Sequence, residues 1–465
     1  MKKRSAIIVA IGFMLGISVA YAADIILSEE VYFDNKNSNL SSTNVQDAID
    51  EINEKVLLTK SCSNNVEEPK LSDGLIPVTI ANDGTVTYAD TSKKWYDYCN
   101  KVWANAVILE DGATYKVGET IKEEDIQSYF VWIPKYKYKL WNVNTPSDTA
   151  HEIEIIFDEL DTTDVEGVSC KTPMTSGESG NCTNGEYMTH PAFINMGVNG
   201  FWVGKFETGY KGATSTAAAQ VNSNDTSKVI IKPNVYSWRN ITVYNAFNVS
   251  YNYKRDANSH MMKNTEWGAV AYLSHSKYGI GKEVNINNNS SFKTGYGALK
   301  TLNKYAYPGQ SGDGSTYNQT YNKDDGYLAS TTGNINGIYD MSGGTNEYMS
   351  SNINGKTGSS GLTVSNYDTK YFDVYNASST STSYQYRILG DATGEMGTFN
   401  SSTLGNFSGN VSNWYATGSS FADSTYPWFT RGGGCSNGMI AGQFAFVRDT
   451  GAAYNYLGFR IVLAP

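Results

Sequence analysis

Hydrophobic positions fall into three regimes along the chain. The first is an uninterrupted apolar run. Lys2, Lys3 and Arg4 precede AIIVAIGFMLGISVA, and Ala20-Tyr21-Ala22 follows as an A-x-A site. This layout predicts a signal peptide over 1–22, cut after Ala22. An uncleaved anchor over Ser5–Ala23 is the alternative, weakened by Gly12, Gly16 and Ser18 inside the run. The second regime has helical spacing. Val45, Ile49, Ile52 and Val56 recur every three or four residues after Ser41, Ser42 and Thr43, any of which could cap a helix. That stripe is narrow, so residues 23–60 read as a short stalk. It either associates as a small coiled coil or packs on the next module. The third regime covers the rest of the chain: short aromatic and β-branched runs between long polar loops.

Within the third regime, GLIPVTIANDGTVTYAD predicts two strands around the Asn82-Asp83-Gly84 turn. Together with KKWYDYCNKVWANAVIL it predicts a small β-rich adaptor over 61–125 with no catalytic constellation. Residues 126–465 form a large domain with one clear helix pattern, NTEWGAVAYLSHSKYG. That helix should start near Asn264 and stop at Gly279, with Trp267, Val270, Ala271 and Ser274 on one face. Few regular elements amid long Gly/Asn/Ser/Thr loops predict an α+β chain.

Composition narrows the function classes. Charged residues are 18% of the chain, the net charge is -10, and no basic block follows the first four residues. A nucleic-acid partner is excluded on that ground, because phosphate binding needs a basic face. The 34 tyrosines suit a wet recognition surface, or equally a core that must be filled in a Gly- and Asn-rich domain. Five cysteines behind an export signal raise the question of pairing. Cys170 and Cys182 bracket a polar, turn-rich loop and are expected to bond. Cys62 and Cys99 could close the N-terminal module, which leaves Cys435 over.

Four motifs then appear in one order: HMMKNTEWGAVAYL, NGIYDMSGGTNEY (Asn336–Tyr348), RGG (Arg431–Gly433) and GFRIV (Gly458–Val462). Upstream stand YFVWIPKYKYKL (Tyr129–Leu140) and GFWVGKFETG (Gly200–Gly209). This series resembles the formylglycine-generating-enzyme (sulfatase-modifying factor) type of the C-type-lectin-like fold over about residues 126–465. The resemblance implies a lectin-like domain behind the stalk and adaptor. It also implies framework roles for Glu266, Trp267, Asp340, Glu347, Arg431 and Arg460, the two arginines pairing with buried carboxylates or carbonyls. More weakly, YFDNKNSNLSSTNVQDAIDEI resembles segments of phage tail fibres and collagen-like surface proteins, which implies a spacer or a homo-oligomerising stalk.

The same resemblance argues against catalysis. The enzymes of that family bind copper through a cysteine pair between the RGG and GFR motifs, since soft Cu(I) selects thiolates. Here Gly434–Leu457 holds only Cys435. His151, His190, His260 and His275 show no facial-triad spacing for iron. No metal or cofactor site is expected. The clusters GQSGDGSTYN and NKDDGY offer loop oxygens for a structural Ca²⁺ but lack the spacing of a calcium loop, so they read as solvated turns.

Gly434–Leu457 differs in character from its frame, which is RGG, AGQFAF and GFRIVL. Val447 beside Arg448 and Asp449 fits no strand or helix period. The residues set into this frame are Gly434, Cys435, Ser436, Met439, Ile440, Val447, Arg448, Asp449, Ala452, Tyr454, Asn455, Tyr456 and Leu457. The pattern resembles the variable proteins of diversity-generating retroelements, where adenines in Asn codons are mutated. Such changes do not reach Lys, Glu, Gln, Met or Trp, and among these positions only Met439 breaks that limit. The resemblance implies a binding surface for a protein or glycan ligand. Tyr454 and Tyr456 would be its aromatic anchors, and Arg448 and Asp449 its charge-selective contacts. Phe444, Phe446, Phe459 and Val462 would face the core. The function expected is an exported, secreted or cell-surface ligand-binding protein rather than an enzyme. The alternatives are a metal-dependent oxidoreductase on the same scaffold and an undiversified structural adhesin.

Overall fold

The computed structural model describes residues 43–49, 66–144, 149–157, 176–298, 318–376, 386–396, 414–415 and 417–465. The expected signal peptide, most of the stalk, Cys62, Cys170 and residues 309–317 of the GQSGDGSTYN loop lie outside them. Two compact units are distinguished, Met1–Ser63 and Asn64–Pro465.

In the first unit, residues 45–49 are helical. The cap is Asn44, which directly follows the three expected candidates. Its side-chain oxygen accepts from the Asp47 N–H at 2.7 Å, and its carbonyl accepts from Ala48 at 3.0 Å. Asn caps as well as Ser or Thr, so the residue adjoining the first turn prevails. Ala48 is buried, whereas Ile49 of the expected stripe is 42% exposed.

The second unit is α+β and holds two main sheets. The larger sheet is antiparallel, with eight strands: β1 (Ile76–Ile80), β2 (Val86–Tyr88), β3 (Asn105–Leu109), β4 (Thr120–Ile121), β5 (Ile126–Pro134), β6 (Gly200–Gly204), β7 (His260–Met261) and a last strand, Ile461–Leu463. Their spatial order is β7, Ile461–Leu463, β6, β5, β3, β1, β2, β4. The Asn82-Asp83-Gly84 turn forms as expected. Gly84 has φ +94°, and the Asp83 carboxylate accepts from Thr85 N–H at 2.8 Å.

The expected separate adaptor over 61–125 is corrected here. Residues 76–121 supply four strands to a sheet shared with residues 126–463, and β3 pairs with β5 from Asn105↔Val131 to Leu109↔Ile126. A ribbon as small as β1–β2–β4 is marginal alone and gains stability by extending a larger sheet. In β5 every residue from Ser128 to Pro134 is buried without alternation, the mark of a strand covered on both faces.

The second sheet centres on β8 (Asn346–Ile353). Antiparallel β10 (Trp428–Gly432) and β11 (Gly442–Asp449) lie to one side of it. Along its other edge run two parallel strands, β9 (Asp373–Tyr375) and β12 (Leu457–Phe459). The chain passes from β12 to the last strand of the larger sheet, β13 (Ile461–Leu463), across one residue, Arg460. The GFRIV motif is thus the crossing between the sheets.

Three helices pack among these sheets. The short α1 (Pro191–Met196) is capped by His190 and ends at Gly197, φ +68°. In α2 (Val243–Tyr253), Val243, Ala246, Phe247 and Ser250 form the buried stripe behind a Thr242 cap. The predicted helix is α3 (Asn264–Ser274), where Glu266 reaches back to the Lys263 N–H at 2.9 Å. Trp267, Val270, Ala271 and Ser274 are buried together with the other seven residues, because strands and loops surround the helix. One expectation fails there: the helix stops at Ser274, not at Gly279. The chain folds back over the helix end so tightly that a Cβ on Gly279 would lie 2.3 Å from the Ser274 carbonyl. Gly268 answers a similar need, since its missing side chain makes room for the Gly390 carbonyl.

Candidate functional site

The charged residues of the four motifs are interior ties. Arg460 donates to Glu347 through Nε at 2.9 Å and Nη2 at 2.5 Å, and to the Gly204 carbonyl at 2.8 Å. It thereby pins the crossing between sheets to β8. Arg431 donates to the Asp391 and Ala392 carbonyls at 3.1 and 2.9 Å, and burial pulls its guanidinium down to about 10. Glu266 accepts from His260 and lies 3.5 Å from Lys263, both in the interior. Asp340 accepts from the Gly295 N–H and the Asn287 amide, both at 2.9 Å. Burial pushes the Glu347 carboxyl up to about 7 against the pull of Arg460. Trp267, Tyr339, Phe444, Phe446, Phe459 and Val462 are all buried, at 1% exposure or less. Trp267 donates to the Gln443 carbonyl at 2.7 Å.

Gly434–Leu457 divides along its length. After β10 the chain turns through Gly432 and Gly433, both at positive φ, and a Cβ on Gly433 would meet Ala441 at 2.8 Å. Gly434 and Cys435 are buried in this turn, Ser436 is exposed, and Ile440 is half-buried. The Met439 side chain lies outside the described part of the chain. β11 runs back antiparallel to β10 with Phe429↔Arg448 and Thr430↔Val447 opposed. Beyond it, Tyr454, Asn455 and Tyr456 are exposed, Ala452 is half-buried, and Leu457 enters the core.

Val447, Arg448, Asp449, Tyr454, Tyr456 and Leu457 do come together, as the wall of one cleft of about 260 Å³. Tyr454 and Tyr456 stack at 5.6 Å between centroids and 14° between planes, 39% and 41% exposed. Backbone bonds hold this aromatic strip: the Tyr454 carbonyl accepts from Asn240 at 2.9 Å and the Tyr456 carbonyl from Asn346 at 3.0 Å. Arg239 ties the Asn455 carbonyl between them. Asp449 accepts from the Tyr348 hydroxyl at 2.5 Å and the Gly451 N–H at 2.9 Å. Burial raises its carboxyl above the ordinary range.

Four of the positions expected on the binding surface are buried instead: Gly434, Cys435, Arg448 and Leu457. Arg448 is the instructive case. Its side chain is 4% exposed and ion-paired with Asp423, and its guanidinium lies over the Tyr426 ring at 4.8 Å. A buried guanidinium needs acceptors for its donors, and here a carboxylate supplies them. The sequence reasoning missed Asp423 and Tyr426, which engage Arg448, and Asn346 and the segment Gly418–Ser420, which complete the cleft. Nothing local signals them. Asn346 lies in a motif read as framework, and Asp423 and Tyr426 stand in the loop before β10, which only sheet pairing carries to this place.

The remaining chemistry-bearing groups are engaged elsewhere. Cys435 is a free, buried thiol that burial pushes up to about 12. Cys99 and Cys182 are each disulfide-bonded. His190 is held by the Gly390 carbonyl at 2.9 Å, and burial lowers it to about 3. His275 meets the Tyr415 hydroxyl at 2.5 Å. Among the described residues, no group of three or more His, Cys, Asp or Glu is placed to hold a metal ion, and no helix is long and apolar enough to cross a membrane. No protein-family model and no curated protein matches the chain.

Proposed function

We propose that this protein is an exported surface protein that binds a ligand in the cleft beside β11, on a lectin-like scaffold of the formylglycine-generating-enzyme type. The observation that carries the reading is the gathering of Val447, Asp449, Tyr454 and Tyr456 around one cleft. Aromatic side chains exposed on a rigid frame are the usual energetic centre of a recognition surface. Loops held by a scaffold are where binding residues belong.

Diversification by a retroelement fits a narrower set than the whole segment. Ser436, Val447, Ala452, Tyr454, Asn455 and Tyr456 are exposed or half-buried and can change without opening the core; Ile440 and Asp449 are half-buried as well, but Asp449 is tied to Tyr348 and Gly451 and Ile440 lies in the turn that packs Ala441 on Gly433. Gly434, Cys435, Arg448 and Leu457 belong with the frame, because a close-packed position cannot vary freely. The test is to sequence this gene from independent isolates. Substitutions should concentrate at adenines in the codons of the six open positions, and substitutions spread evenly over β10, β11 and β12 would overturn the reading.

A further inference from the structure

Asp449 is a partly buried carboxylate with no basic partner among the described residues. Its neighbour Arg448 is taken by Asp423. The hydrogen bonds that Asp449 accepts from Tyr348 and Gly451 both fall on one oxygen, Oδ1. Asn346 lines the same cleft at 4% exposure, and its side-chain oxygen has no hydrogen-bond partner. Two acceptors thus share a cleft walled by the Tyr454 and Tyr456 rings. Among the described residues that line it, Arg448 is the one cationic side chain, and it is already paired. Tyrosine faces attract cations, and a desolvated carboxylate gains most from a cation.

We infer that the cleft takes one cationic side chain, lysine or arginine, of a polypeptide partner, its charged head on Asp449 and its stem along Tyr454 and Tyr456. This rests on the cleft being the binding site and adds the class of ligand. The volume of about 260 Å³ lies below that of pockets enclosing a drug-sized molecule, roughly 300–1,000 Å³, and so suits a single side chain. The exposed tyrosines around it extend the contact to the partner's backbone. The chain's net charge of -10 favours the approach of a basic partner over an acidic one.

The test is calorimetric titration of the full chain with the capped pentapeptide Gly-Gly-Arg-Gly-Gly. The same peptide with neutral citrulline in place of Arg is compared, and N-acetylglucosamine is the glycan probe. The Arg peptide should bind, and the citrulline peptide should bind at least tenfold more weakly. Asp449→Asn keeps an acceptor for Tyr348 and Gly451, should melt no lower than the wild type, and should lose at least tenfold in Arg-peptide affinity. Should that variant not fold, Tyr456→Leu is expected to show a comparable loss. Equal binding of both peptides, no binding of the Arg peptide, or tighter binding of N-acetylglucosamine would each overturn the assignment. Any of these alongside isolate variation at the six open positions would refute the ligand class alone and leave the binding function standing.

Discussion

Replacing Arg448 with Asn separates the frame from the proposed binding surface in the segment that the sequence presents as uniform. The pair it breaks is nearly dry, with side chains 4% and 11% exposed for Arg448 and Asp423. Removing one member of a buried pair costs about 3–5 kcal/mol when the other is left without compensation. Asp423 retains some compensation, since it still accepts from Thr425 at 2.8 Å and Tyr426 at 2.9 Å. The attraction between the guanidinium and the Tyr426 ring, about 0.5–2 kcal/mol for a site between exposed and desolvated, disappears as well. We expect a net destabilisation of about 2–3 kcal/mol, below the full figure because of the two retained bonds. Asp423→Asn combined with Arg448→Asn removes both charges and should recover more than half of that loss. Urea unfolding of the two single variants, the double variant and the wild type closes the cycle. Tyr454→Ala, in contrast, should cost about 1 kcal/mol or less, because its ring packs mainly on the equally exposed ring of Tyr456. An Arg448→Asn variant within about 0.5 kcal/mol of wild type, the range of ordinary surface substitutions, would refute the reasoning and return Arg448 to the display surface.

Two further outcomes follow from the interior. Trp267→Ala should lose about 3–5 kcal/mol, as for large aromatic core truncations, and a melting temperature unchanged within error would show that the residue is not the core element described. Burial also pushes the Glu395 carboxyl up from its ordinary 4.5 to about 7. The folded state then holds a proton that the unfolded chain has released, so this group's contribution to stability falls as pH rises from about 4.5 to about 7 and is level above that. Glu395→Gln, whose remaining oxygen can still accept from the Gly390 N–H, should flatten the decline in melting temperature between about pH 5 and pH 8. An unchanged profile would exclude Glu395 as its source.

Much of the molecule is legible without coordinates wherever local physics decides. The Asn82-Asp83-Gly84 turn depends on residues within reach of one another, and it forms as its sequence predicts. So does the start of α3, where Glu266 and the Lys263 N–H are three positions apart. The motif aromatics and arginines were readable as interior for a related reason. Large apolar rings have no competing place to go, and a guanidinium goes inside only where a carboxylate or carbonyls take its donors, as Glu347 does for Arg460 and the Asp391 and Ala392 carbonyls do for Arg431. What the sequence could not decide is which surfaces meet. Residues 76–121 carry the pattern of a small β module, and only pairing with Ile126–Pro134 makes them part of a larger sheet. The end of α3 is set by the chain returning over Ser274. Within Gly434–Leu457, exposed and buried positions look alike in one dimension, because their difference comes from remote partners. Asp423 draws Arg448 inward and β8 pairs with the strand that buries Leu457, while Tyr454 and Tyr456 stay open to solvent. The cleft exists only where those remote segments converge.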